Sequence, residues 1–184
     1  VNRPPADAVP VDAIRTDHGW VATVATLGFS GDVTARANAL RWPRGSQRYT
    51  VATLRQLPHL RSIEARVEVD GTRVGGDTSL LSVGNTGWFG GGMKICPDAR
   101  PDDGLLHVVN IAAVSRRRFV RVFPTVFSGR HIRRDEVTTA SGRVATIDGS
   151  SDIDLWADGE SLGPLPVRLE LVPGAVRVAG AVHR

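Results

Sequence analysis

The sequence predicts a mainly β, β-rich α+β domain: an antiparallel β-sandwich with two or three helices packed alongside. Three observations predict it. Short apolar runs recur between turn-forming residues, at Ile63–Val69, Leu105–Ile111, Ile153–Ala157 and Val167–Val172. Two stretches, Ser30–Leu57 and Ser115–Phe127, change to helical spacing. A chain of 184 residues is also long enough to bury one substantial core.

Taken in order, residues 1–9 (VNRPPADAV) read as a linker or a cloning scar, and residues 10–184 as a single domain. Asp17–His18–Gly19 is a turn between two strand-like runs, the second being Trp20–Leu27. Ser30 or Asp32 is placed to cap a helix over VTARANAL, which Trp42–Pro43–Arg44–Gly45 breaks. A second helix follows over QRYTVATLRQL and stops at Pro58. Ile63–Val69 alternates, Asp70–Gly71 signals a hairpin, and Arg73–Val83 is expected to return from it. In Ser115–Phe127 the residues Phe119, Val122, Phe123, Val126 and Phe127 share one helical face, with a kink expected at Pro124. Val137–Ile147, Ile153–Ala157, Val167–Val172 and Ala175–Val178 complete the strands.

Composition narrows the function classes. A hydrophobic fraction of 41% with mean hydropathy near zero describes a globular chain. No apolar run reaches the ~20 residues of a membrane-spanning helix, and the first residues lack the apolar centre of a signal peptide. One cysteine, Cys96, excludes an internal disulfide and favours a reducing, cytoplasmic location. Lys94 is the only lysine, so the net charge of +4 rests on arginine. That charge suits anionic partners. Few aromatics and no stacking array argue against a nucleic-acid partner.

Four motifs bear on chemistry, each with a plain alternative. Gly84–Gly104, GNTGWFGGGMKICPDARPDDG, holds six glycines and reads either as a phosphate cradle or as a strand end, tight turn and metal-gripping loop. Gly75–Gly76–Asp77–Thr78 resembles a nucleotide loop, but no helix follows to supply its dipole, so a strand-entry turn is the better reading. Asp158–Gly159–Glu160 is a hairpin turn, or else a rigid mount for a general base or a metal–phosphate complex. Asp102–Asp103–Gly104 is a self-capped turn or a hard-cation site. Arg116, Arg117, Arg118, Arg121, Arg130, Arg133 and Arg134 flank the Phe/Val face, which packs on the sheet or lies on an anionic membrane.

In sequence order these pieces resemble the C-terminal domain of the diacylglycerol kinase-like lipid kinases, the superfamily that includes sphingosine and ceramide kinases. The matching stretches are LGFSGDVTARAN (Leu27–Asn38), RWPRGSQRY (Arg41–Tyr49), Leu80–Val109, FSGRHI (Phe127–Ile132) and ADGESLGPLP (Ala157–Pro166). The resemblance implies a two-domain enzyme of bacterial type that transfers the γ-phosphoryl of ATP to a lipid hydroxyl such as that of diacylglycerol. It implies that this chain is the second domain only, inactive by itself, and that a Gly-Gly-Asp-Gly-Thr nucleotide motif belongs to an N-terminal domain outside it. Carried over by position, Glu160 is the general base. Asp158, Gly159 and Asn85 lie on the nucleotide side of the cleft, and Asp103, with the main-chain carbonyls of Arg100 and Leu105, holds a structural Mg²⁺. Further Mg²⁺ accompanies ATP as co-substrate. His131 matches a common histidine, best read as a structural hydrogen bond. The implied partners are a lipid substrate sheltered in the sandwich, a transient membrane surface and the chain's own nucleotide-binding domain, with a homodimer as a further option. The rival reading is a non-catalytic lipid-binding or regulatory β-domain on the same scaffold.

Overall fold

The computed structural model describes residues 8–42 and 47–179. Among these, twelve strands and three α-helices follow one another: β1 (Val9–Thr16), β2 (Gly19–Val21), β3 (Val24–Gly28), α1 (Phe29–Ala39), α2 (Gln47–Gln56), β4 (Ala65–Val69), β5 (Thr72–Arg73), β6 (Thr78–Gly84), β7 (Leu106–Ala112), α3 (Arg116–Val122), β8 (Val137–Gly142), β9 (Val144–Gly149), β10 (Asp154–Ala157), β11 (Glu160–Pro164) and β12 (Val167–Val178). Short 3₁₀ turns cover Leu57–His59, Phe123–Val126 and Arg130–Arg133. The strands form two six-stranded sheets, ordered β2-β1-β12-β9-β4-β5 and β11-β10-β3-β6-β7-β8. Every pairing is antiparallel, as the sequence predicts.

The molecule has three layers. One core fills the space between the sheets, with Ile14, Val67, Ile147 and Leu169 from the first and Leu27, Leu81, Val108 and Leu155 from the second. A second core lies on the other face of the second sheet, where Val24, Leu80, Val109 and Ile111 meet Phe29, Val33, Ala52, Phe119 and Phe123. Strand alternation sends Leu81 and Val83 to one core and Leu80 to the other. A strand covered on both faces reads as a continuous apolar run, and all seven residues of β6 are buried. The helical face read from Ser115–Phe127 is where the layers lock. Phe29, Phe119 and Phe123 form an aromatic trio with centroids 4.8, 5.5 and 5.4 Å apart. The expected interruption at Pro124 is present: α3 gives way to a 3₁₀ turn at Phe123–Val126.

Several boundaries differ from the sequence reading, and most differ for one reason: the chain changes sheets without a long loop. Trp20–Leu27 is two strands, β2 in the first sheet and β3 in the second. The return expected over Arg73–Val83 stops after β5, and β6 belongs to the other sheet. Gly75–Asp77 therefore lies in a crossover between sheets, Thr78 opens β6, and no helix follows directly. Val137–Ile147 likewise divides at Arg143 into β8 and β9 of different sheets. Conversely, Val167–Val172 and Ala175–Val178 are one strand, β12, which pairs with β1 through an irregularity between Val11 and Ala13. Neither Ser30 nor Asp32 caps α1; both lie inside it, and Gly28 occupies the cap position. The breaker at Trp42–Pro43–Arg44–Gly45 lies largely outside the described residues, as do residues 1–7 of the expected linker, while Val9 already pairs with Val178. No described helix is long and apolar enough to cross a membrane.

Candidate functional site

The site begins at the β10–β11 hairpin. Asp158 and Gly159 have φ of 51° and 94°, so both central residues of this two-residue turn are left-handed. That geometry matches the twist of the flanking strands and is favourable for an Asp-Gly pair. The Asp158 carboxylate accepts hydrogen bonds from the backbone N–H of Ala22 at 2.7 Å and of Thr23 at 3.1 Å, and from the Thr23 hydroxyl. It thereby ties the hairpin to the segment where the chain passes from β2 to β3. From the other side, Asn38 near the end of α1 donates to the Gly159 carbonyl at 2.7 Å. The turn is held from two directions, and the next residue, Glu160, opens β11 opposite Ala157 with its side chain exposed. Among the described residues nothing engages the Glu160 carboxylate.

Beside the turn opens a cavity of about 560 Å³, with Asp158, Gly159 and Trp88 among the residues that line it. Its apolar lining comes from Val24 on β3, Phe29 and Val33 on α1, Tyr49 on α2, and Phe89 and Met93 in the glycine-rich segment. The resemblance implies an acyl-chain pocket sheltered by the domain, without naming its lining. The cavity lies in the second layer, between the outer face of the second sheet and the helices. The space between the sheets is filled by closely packed aliphatic side chains. Several polar side chains line the cavity, among them Thr23, Thr34, Thr53 and the pair Thr26 and Ser30, whose hydroxyls share a hydrogen bond while Thr26 donates to the Leu81 carbonyl at 2.9 Å. A cavity of this size, mostly apolar with a few convergent polar groups, is the form small-molecule sites take.

The glycine-rich segment forms part of the wall of this cavity. Gly90, Gly91 and Gly92 are left-handed, with φ of 26°, 68° and 84°, and they turn the chain so that Phe89 and Met93 pair across a bridge. Asn85, at the end of β6, is fully buried and does not line the cavity. Its amide donates to the carbonyls of Asp12 at 2.7 Å and Ala22 at 3.0 Å. Asn85 and Asp158 thus hold the same Ala22–Thr23 crossover from opposite sides.

Residues 23–180 match the YegS C-terminal NAD kinase beta sandwich-like domain. The chain belongs to this family. It is 38% identical over 181 residues to a Mycobacterium tuberculosis diacylglycerol kinase, covering 96% of this chain and 58% of that protein. It is 30% identical over 175 residues to a Stenotrophomonas maltophilia protein named "Probable lipid kinase YegS-like", covering 94% of this chain and 56% of that protein. The chain therefore spans somewhat more than half the length of these relatives. A solved diacylglycerol kinase from Bacillus anthracis superposes with a TM-score of 0.62 over 92% of this chain and 53% of that one, at 15% identity, a likeness of fold alone.

Within this YegS-type domain the second candidate centre is the loop from Pro97 to Leu105. Asp103 accepts from the Leu105 N–H at 2.9 Å through one carboxylate oxygen and faces His107 Nε2 at 3.1 Å through the other. Among the described residues no cluster of three or more His, Cys, Asp or Glu side chains suits a metal. One carboxylate with neighbouring main-chain carbonyls is an oxygen donor set of the kind a hard cation takes while keeping several waters. The residue that fixes this loop went unrecognised in the sequence. Asp12 is 6% exposed; its carboxylate accepts from the N–H of Gly104 and of Gly174, each at 2.8 Å, and its own N–H donates to the Pro101 carbonyl at 2.7 Å. An aspartate inside a strand carries no local signal of a partner 92 residues away.

His131 is buried, and Nε2 lies 2.9 Å from the Ile95 carbonyl, the structural hydrogen bond expected from the sequence. Burial pulls its pKa below the ordinary imidazole value. Burial also pushes the Cys96 thiol up to about 12, so this cysteine is a core residue rather than a nucleophile.

Proposed function

We propose that this chain is the lipid-holding, cleft-completing domain of an ATP-dependent lipid kinase that phosphorylates a lipid hydroxyl such as that of diacylglycerol. The observation that carries the reading is the adjacency of an apolar cavity and a rigid carboxylate-bearing turn. Ala157 and Gly159, the neighbours of Glu160 in the hairpin, belong to the cavity wall. An acyl chain in the cavity leaves its polar end at the Asp158–Gly159 side, within the neighbourhood of Glu160.

Glu160 then takes the proton of the attacking hydroxyl as general base. Asp158 and Asn85 act by holding the Ala22–Thr23 crossover, and Gly159 by giving the turn its shape. ATP is supplied by a separate nucleotide-binding domain, with Mg²⁺ offsetting phosphate charge during transfer. A structural Mg²⁺ is assigned to Asp103 with the carbonyls of Arg100 and Leu105. A rise in melting temperature with Mg²⁺ that Asp103→Asn abolishes is the expected result there. Without the nucleotide-binding domain the chain turns over no substrate, so the parent enzyme is the object to assay.

Thr53 on α2 lines the cavity, and Thr53→Trp places an indole in the space assigned to the lipid tail. In the parent enzyme this substitution is expected to raise KM for diacylglycerol at least about tenfold, the loss of roughly two buried methylenes of contact, with KM for ATP unchanged. An unchanged lipid KM removes the cavity from the reading.

A further inference from the structure

A second apolar cavity of about 260 Å³ lies back to back with the first, across the shared side chains of Tyr49, Thr53, Met93 and Phe123. Its outer rim is formed by Leu54 on α2, Val120 on α3 and Phe127, which are 64%, 49% and 50% exposed. Three large apolar side chains are thus presented together to solvent. Isolated exposed apolar residues need no explanation, but a group of them around a cavity mouth marks an interaction surface.

The charge around this rim is one-sided. The two segments that carry it, residues 47–57 and 113–134, hold nine arginines and no aspartate or glutamate. The rest of the chain, with fourteen basic residues against nineteen acidic ones, is net negative. On α3, Arg116 and Val120 stand four residues apart, as do Arg117 and Arg121, so arginines flank the exposed valine on the same side of the helix. Arg118 is paired with Glu136. Among the described residues, Arg55, Arg116, Arg117, Arg121 and Arg130 form no ion pair with a carboxylate. Exposed apolar residues with unpaired arginines on the same segments match the two layers of an anionic bilayer, its acyl region and its phosphate headgroups.

We infer that the Leu54–Val120–Phe127 rim is the face by which the protein sits on an anionic membrane, with the second cavity as the port through which a lipid tail passes between bilayer and site. The port lies across the shared wall from the Asp158–Gly159 turn. A tail entering there needs no crossing of open water. The port rests on the reading of the first cavity as an acyl site; the docking face does not, and vesicle binding in the absence of nucleotide tests it separately.

The experiment uses the full-length protein that contains this chain and phosphatidylcholine vesicles with and without phosphatidylglycerol, read by co-sedimentation. Arg117→Glu/Arg121→Glu removes charge at the rim, and Val120→Ser/Phe127→Ser removes its apolar part. Arg66→Glu/Arg177→Glu makes the same charge change at exposed positions of the first sheet, away from the helical layer. All these side chains are exposed, and circular dichroism confirms that each variant folds.

Each surface arginine contributes about fivefold to partitioning on an anionic bilayer, so the rim charge variant is expected to lose at least about twentyfold in binding. The serine variant also weakens binding, while the control stays within about twofold of wild type apart from the uniform effect of net charge. Equal loss in the rim and control variants overturns the inference, as does equal binding to neutral and anionic vesicles. Concentration-dependent self-association that the serine variant abolishes, without vesicle binding by wild type, also overturns it and assigns the rim to a second copy of the chain.

Discussion

The Asp158 clamp gives the most quantitative test of how the fold positions the site. Asp158→Asn keeps the size and the tolerance of left-handed φ but replaces one acceptor oxygen with a donor that faces backbone N–H groups. Three hydrogen bonds converge on the carboxylate, two from Ala22 and Thr23 N–H and one from the Thr23 hydroxyl. Bonds to a charged acceptor contribute about 1.5–3 kcal/mol each at best, and solvent exposure of Asp158 brings the whole change to about 1–2 kcal/mol. Thr23→Val removes only the hydroxyl bond and should cost about 0.5–1 kcal/mol. Because the two side chains touch, the double variant should fall short of the sum by about 0.5–1 kcal/mol. Urea unfolding of the four proteins measures this cycle, and the same proteins assayed in the parent enzyme should lose kcat more than they raise the lipid KM. Additivity within about 0.3 kcal/mol would refute the clamp, and unchanged kcat in Asp158→Asn would separate the clamp from the site.

Two further outcomes follow from the buried polar groups. Asp12→Asn leaves the N–H of Gly104 or Gly174 without its acceptor and should destabilise by about 2–4 kcal/mol; hydrogen exchange should show the amides of residues 101–104 losing protection first, and protection unchanged there would remove Asp12 as the anchor of the loop. His131 is held neutral by burial, with its folded pKa below the unfolded one of 6.5. The unfolded chain therefore binds the extra proton first, so the stability contributed by neutral His131 is full above 6.5 and falls as pH drops below it toward the folded pKa. His131→Gln, which keeps an N–H for Ile95, should flatten that part of the profile; an identical pH dependence in wild type and variant would contradict the assignment.

The alternation in Ile63–Val69, the Asp-Gly turns and the helical face of Phe119, Val122 and Phe123 are local patterns, and the structure repeats them closely. The sandwich was legible because turn chemistry and strand period are set by neighbouring residues. Sheet membership was not. At Ala22–Thr23, Val74–Asp77 and Arg143 the chain passes between sheets within a few residues, and no residue type marks such a step. The same limit applies to the site. Glu160 and Asp158 stand out as an Asp-Gly-Glu turn, whereas Asp12 and Thr23 acquire meaning only from partners far away in sequence. The cavity lining was not legible for a related reason. Continuous burial of β6 reads as a strand between two layers, and which of its two faces retains an opening depends on how the helices and the glycine-rich segment pack over Leu80 and Val24.

In the proposed function this domain contributes the carboxylate that activates a lipid hydroxyl held in its cavity. Single-turnover phosphorylation of diacylglycerol by the full-length protein, wild type against Glu160→Gln, tests it most directly. Glu160 is exposed, and among the described residues its carboxylate forms no hydrogen bond or ion pair, so the substitution should leave the melting temperature unchanged. Phosphoryl transfer is expected to fall by at least about a hundredfold, the lower range for loss of a general base, with lipid and ATP binding retained. Transfer at the wild-type rate in a folded Glu160→Gln protein would contradict that role.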